Sequence, residues 1–153
     1  MSRKRLRPAF LALALAVALA VGSGPLGCSE HARERLREHT YPPSFNYIPE
    51  ERLRSTMWDL AYHVAQLDHR MRDPKVGGDA LQLEVIRELD EIQRAAAALG
   101  PGDWPSNHPQ VSRNIDAFRN DLYAARRAAA VRPPNYFLAG SIAGACTNCH
   151  LAE

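Results

Sequence analysis

Two thiols and an imidazole stand together near the end of the chain, in Cys146-Thr147-Asn148-Cys149-His150, followed by Leu151, Ala152 and Glu153. Cys-x-x-Cys-His is the spacing of a c-type haem attachment site. The chemistry requires it. Two thiols must add to the two vinyl groups on one edge of a porphyrin while a histidine coordinates the iron. On a helix, Cys146 and Cys149 lie three residues apart and share a face, and His150 follows directly. Other uses of such cysteines fit less well. A structural zinc site needs four ligands, and the sequence has no second Cys-x-x-Cys and no His-x₃-His. A redox pair normally opens a helix, where the dipole lowers a thiol pKa; this pair closes a helical segment. A disulfide here would close a four-residue loop, a poor staple.

The elements that must carry these residues follow from apolar spacing. Ser29 to Thr40 is polar and charged, a tether or a short surface helix. Tyr41 to Pro49 holds three prolines and reads as an extended strap. Four helical segments come next. The first opens at Pro49, Glu50 and Glu51, with proline at N1 and acids in the first turn. Its stripe is Leu53, Met57, Leu60, Val64, Leu67 and Met71. The second opens with Asp79 as N-cap and Gln82 three later, a capping-box spacing. Its stripe is Leu81, Val85, Leu89, Ile92, Ala96 and Leu99, ending at Gly100-Pro101-Gly102. The third begins near Pro109 and carries Val111, Ile115, Phe118, Leu122, Ala125 and Ala129, stopping before Pro133-Pro134. The last runs from about Asn135 through Leu138, Ile142 and Ala145 to Cys149. Steps of three and four throughout, with no period-two run of β-branched residues, predict an all-α fold. Short connections predict an antiparallel up-down-up-down four-helix bundle, with covalent haem on the C-terminal helix.

In that bundle the end of the last helix lies beside the start of the first, which bears on the iron's sixth position. Beyond the leader the chain has two methionines, Met57 and Met71. At 1.5 Å per residue, Met57 is about 12 Å along the first helix and Met71 about 33 Å. Met57 is thus expected on the distal haem face, as iron ligand or as packing, in a pocket shared with Leu53, Leu60 and Ile142. His150 is expected as the proximal iron ligand. His31, His39, His63, His69 and His108 read as surface histidines, with His39 the first alternative ligand.

From about residue 50 to 150 the chain resembles the class II c-type cytochromes, the cytochrome c′ family. The motif near the C-terminus, the small residues Ala143-Gly144-Ala145 before it, and Phe118 and Leu122 some thirty residues upstream carry the likeness. The resemblance implies a four-helix bundle with one covalent haem c and a distal residue near the start of helix one. Its partners would be redox proteins, with room for a homodimer. Two functions compete within it. With Met57 ligated, the iron is six-coordinate and suited to electron transfer. With Met57 only packed, a five-coordinate iron can take nitric oxide or carbon monoxide. Methionine at the distal position favours electron transfer. A third reading is a structural or interaction lipoprotein without haem. No grouping of acids, bases and a nucleophile suggests an enzyme.

The first 27 residues read as a signal peptide. Arg3, Lys4, Arg5 and Arg7 precede an apolar run from Ala9 to Val21, of leader length and too short for an ordinary membrane span. Pro25-Leu26-Gly27-Cys28 resembles a bacterial lipobox, in which the cysteine is lipidated and becomes the first residue; cleavage near Ala18-Leu19-Ala20 is the alternative. Residues 28–48 then form the tether and strap, and 49–153 the haem domain. Of 19 basic residues the leader holds four and no acid, so 15 remain against 17 acids, about −2. That balance gives no basis for nucleic-acid binding. The expectation is export to a bacterial periplasm and a lipid anchor at Cys28, in the outer membrane because Ser29 rather than aspartate follows. Cys28→Ser should move the protein from the membrane fraction to the soluble periplasmic fraction. An unchanged membrane fraction would show that the anchor is elsewhere.

Overall fold

The computed structural model describes residues 30–73 and 77–150. These form six helices: α1 (Glu30–Thr40), α2 (Glu50–Arg72), α3 (Gly78–Ala97), α4 (Pro109–Ala130), α5 (Phe137–Ala145) and α6 (Thr147–His150). Among the described residues the only extended pairing is an isolated parallel bridge between Asn46 and Ser106. The fold is all-α, as expected. No helix among them is long and apolar enough to cross a membrane. The leader and Cys28 lie outside the described residues.

The chain divides into two units at Arg37/Glu38. Of the first unit only the opening of α1 is described. Its segment is helical rather than an extended tether. Glu34 and Arg37 stand at i,i+3 with opposite charge, a spacing that supports a solvated helix, and Leu36 is largely exposed.

In the second unit α2 packs on α3, α3 on α4, α4 on α5, and α5 returns to α2. The four apolar stripes meet inside this helical bundle. Leu60 and Leu67 come from α2, Val85, Leu89, Ile92 and Ala96 from α3, Val111, Ile115, Leu122, Ala125 and Ala129 from α4, and Ala139 and Ile142 from α5. Each fully buried large side chain contributes about 1.5–3 kcal/mol. The contribution of α5 is small, because only one of its two core residues is large.

Several local expectations need correction. Pro49 is the N-cap of α2 rather than its first helical residue. Helix α3 starts at Gly78 with Gly77 as N-cap, and Asp79 makes no cap hydrogen bond. Gln82, placed by spacing in a capping box, is buried instead. Its Nε2 donates to the carbonyls of Ala129 (2.9 Å) and Val131 (3.2 Å), satisfying the last turn of α4. A long side chain that can reach a neighbouring helix end gains more there than at its own N-terminus. The final helix is not continuous from Asn135 to Cys149: α5 ends at Ala145, and Cys146 leads into the single turn of α6.

Two histidines expected at the surface are tied into the structure. His63 Nδ1 lies 3.0 Å from Oε2 of Glu88, a residue only 4% exposed. Arg87 Nη2 donates to the other carboxylate oxygen at 2.8 Å. Burial pushes the Glu88 carboxyl up, but hydrogen bonds from His63 and Arg87 outweigh burial and hold it below its ordinary value. His108 Nε2 lies 3.0 Å from the Ile48 carbonyl. Beside it Asn107 accepts from the Ile48 N–H and donates to its carbonyl, both at 2.8 Å. Ile48 is thereby pinned in the core at 1% exposure, so the strap is part of the domain. His31, His39 and His69 are exposed.

The turn after α3 is held from two directions. Arg119 Nη2 donates to the carbonyls of Ala96 (2.9 Å) and Gly100 (2.7 Å), and Asn46 Nδ2 donates to Leu99 O at 2.7 Å. Gly100 has φ of +74°, and a Cβ there would run into the Asn46 side chain. Gly140 and Gly144, inside α5, have nothing within 4 Å of an added Cβ. The three glycines should therefore answer to alanine differently. Gly100→Ala is expected to lower unfolding stability by about 1 kcal/mol or more, through strain and overlap. Gly140→Ala and Gly144→Ala should each raise it by about 0.5–1 kcal/mol. Urea midpoints check this; losses at all three positions would contradict the packing described.

Candidate functional site

The residues singled out for chemistry converge on one cavity of about 210 Å³. Helix α2 contributes Met57, Leu60, Ala61 and Val64, one face stepped by three and four. Leu99, just past α3, contributes another wall, held by the bond from Asn46 to its carbonyl. Helix α4 adds Val111, Ile115 and Phe118. Ala145, Cys146, Cys149 and His150 complete the lining. Apart from two thiols, one thioether and one imidazole, every lining side chain is hydrocarbon.

The motif is shaped by the turn that carries it. The N–H groups of Cys149 (3.3 Å) and His150 (3.2 Å) both donate to the Cys146 carbonyl. Thr147 Oγ1 donates to Gly144 O at 2.6 Å, linking α6 to the end of α5. One helical turn thus brings Cys146, Cys149 and His150 to the same cavity. Cys146 and His150 are exposed and Cys149 is half-buried, so the cavity is open on the motif's side. Both thiols are free. Burial, then the neighbouring Cys146, pushes the Cys149 thiol up.

Met57 is half-buried in the cavity wall, whereas Met71 packs against the core elsewhere. Leu60 lines the cavity as expected. Leu53 and Ile142 do not: Leu53 is packed against the core, and Ile142 lies within it at 1% exposure. Ala61, Val64, Leu99, Val111, Ile115, Phe118 and Ala145 were not singled out for the pocket. The signal for several was in the spacing, since Ala61 and Val64 fall one and two turns beyond Met57, and Val111, Ile115 and Phe118 share a stripe. Among the described residues, no three His, Cys, Asp or Glu side chains converge closely enough to hold a metal ion by themselves.

No protein-family model matches the chain, and neither curated proteins nor solved structures yield a significant match.

The two thiols should differ in reactivity. In the chain without a bound group, Cys146 is exposed and Cys149 is half-buried with a raised thiol pKa, so less Cys149 thiolate is available to attack. Alkylation followed by peptide mass mapping should find Cys146 modified several-fold faster. Equal rates would mean that Cys149 is not shielded by the cavity.

Proposed function

We propose that the chain is an exported, class II-like c-type cytochrome that holds one covalent haem c and carries electrons. The observation that carries this reading is the meeting of Cys146, Cys149, His150 and Met57 at one hydrocarbon-walled cavity. The donor set suits the group. Two free thiols stand three residues apart for thioether bonds, and an imidazole and a soft thioether at the same cavity would be available as iron ligands. The apolar walls suit a porphyrin face. The cavity is smaller than the ~300–1,000 Å³ of pockets that enclose a whole ligand, and it is open beside the cysteines. A haem held at that opening would stay within reach of redox partner proteins. When bound, the haem supplies a one-electron iron couple.

The residues do the remaining work. Cys146 and Cys149 would hold the macrocycle, and His150 would ligate the iron. Leu60, Val64, Ile115 and Phe118 exclude water. Met57 would supply a second iron ligand, which would favour a raised potential and little rearrangement on electron transfer. This reading includes an antiparallel up-down-up-down course for α2, α3, α4 and α5/α6. The packing of α5 back on α2 supports it. Anchoring by lipid at Cys28 would keep the protein at a periplasmic membrane surface.

Acid–acetone treatment and intact mass should find the haem retained on the chain. The ferric protein should be low-spin. Met57→Ala should turn the spectrum high-spin and let carbon monoxide bind the ferrous form quickly, while Met71→Ala does neither. A wild-type protein that is already high-spin and binds carbon monoxide readily would establish a gas-binding function instead. Recovery of an unmodified chain would leave a lipoprotein without haem.

A further inference from the structure

The face of α2 turned away from the core carries a pattern that the bundle does not use. Glu51, Ser55, Trp58, Tyr62, Ala65 and His69 are all exposed, and they recur at steps of four, three, four, three and four. That is the repeat of a helix-pairing seam, on the side opposite Leu60 and Leu67. At its centre Trp58 and Tyr62 are 72% and 60% exposed, so two large rings forgo the gain that burial would bring. We propose that this face binds a second copy of the chain, with the two α2 helices antiparallel about a two-fold axis level with Leu60. The inference does not rest on the haem reading.

The residues of the seam select both the occupant and the direction. A two-fold interface uses the same patch on both subunits, so the patch must complement itself. The step pattern reads the same from either end, and reversing it about residue 60 sets unlike residues opposite one another. Trp58 stands against Tyr62 of the second copy, Ser55 against Ala65, and Glu51 against His69, each twice. The rings pack together, the small pair lets the helices approach beside them, and the Glu51 carboxylate accepts an imidazole N–H. A parallel pairing instead sets Glu51 against Glu51 and His69 against His69.

The charges flanking the seam agree with this direction. Helix α2 has acids in its first turn and bases in its last. Arg54 is paired with Glu50 at 2.6 Å and Arg72 with Asp68 at 2.9 Å. The two pairs lie five turns apart on one side of the seam. Antiparallel reversal brings Glu50 opposite Arg72 of the second copy and Arg54 opposite its Asp68. The offset from the seam's own register is two residues, about 3 Å of rise, within reach of an arginine side chain.

The area sets the strength of the contact. Two tryptophans and two tyrosines exposed to this degree supply roughly 500 Å² of aromatic surface, from ~150–250 Å² for each ring fully buried. With the flanking residues the contact reaches on the order of 1,000 Å², at the small end of specific interfaces. The dimer is therefore a reversible one, dissociating in the micromolar range.

Sedimentation equilibrium tests this, with Cys28→Ser in place so that association through lipid does not enter. Mass should rise from monomer to dimer over micromolar to submillimolar concentrations. Trp58→Ala should raise the dissociation constant about tenfold or more, because an aromatic anchor is lost twice. Glu51→Lys and His69→Glu should each weaken the dimer several-fold, and the double variant should recover it, since the reversed charges again stand opposite one another. A monomer at every concentration would overturn the proposal, and so would a dimer indifferent to Trp58→Ala, which would place the contact on another face. A double variant weaker than either single would overturn the antiparallel pairing.

Discussion

The helix least able to fill a core governs this structure. α5 is nine residues of Phe, Leu, Ala, Gly, Ser and Ile, and it buries only Ala139 and Ile142. A bundle whose fourth wall is this thin cannot close tightly between α2 and α4, and the cavity opens where α5 gives way to α6. Interiors are normally packed as densely as organic crystals. Leu60, Val64, Ile115 and Phe118 therefore face space where they would otherwise gain dispersion contacts. A flat apolar group in that space would recover those contacts and complete the fourth wall. On the proposed function, stability and activity would depend on the same unfilled volume.

The rest of the domain is built to hold that opening in shape. The turn after α3 supplies Leu99 to the lining, and three long polar side chains converge on it or on its neighbours. Arg119 ties the end of α3 to α4, Asn46 ties it to the strap, and Asn107 clasps Ile48. Hydrogen bonds of this kind contribute modestly to stability, about 0.5–1.5 kcal/mol each. Their larger effect is to specify geometry, because a buried carbonyl left without its donor is costly. Exposed ion pairs such as Arg54–Glu50 and Arg72–Asp68 contribute little by comparison. The cavity is thus bordered by rigid connections and not by free loops.

Much of this was legible in the sequence, and the limits have physical causes. Apolar stripes with steps of three and four located the starts of the four bundle helices within about two residues, because burial of one face dominates helix stability in proteins, although the last breaks at Ala145 and not at Cys149. The association of Met57 with Cys146, Cys149 and His150 followed from helix lengths and short connections alone. The failures share another origin. Gln82, His63 and His108 were read from local spacing, yet each is bonded to a partner 25 to 60 residues away. Nothing in the residues around Gln82 announces that the end of α4 needs a donor. Leu53 and Ile142 were assigned to the pocket because a stripe is one-dimensional: it shows which side faces inward but not where along the axis the interior is full. Ile142 lies where the core is filled, and Met57 lies where it is not.

The glycines of α5 sharpen the same distinction. Small residues ahead of the motif suggest that something approaches closely, and within this chain nothing approaches Gly140 or Gly144. Each costs helix stability without relieving any internal clash. Ala139 and Ala145, on the inward side, do relate to packing, one in the core and one in the cavity wall. The smallness of α5 therefore has two components. Its inward small residues create the volume that a planar group can occupy, and its outward ones weaken the helix carrying the motif. A weak terminal helix can open locally at little cost, which would expose Cys149, half-buried when the helix is closed. An inward face that makes room and a backbone that opens easily would both serve the covalent attachment proposed at this position.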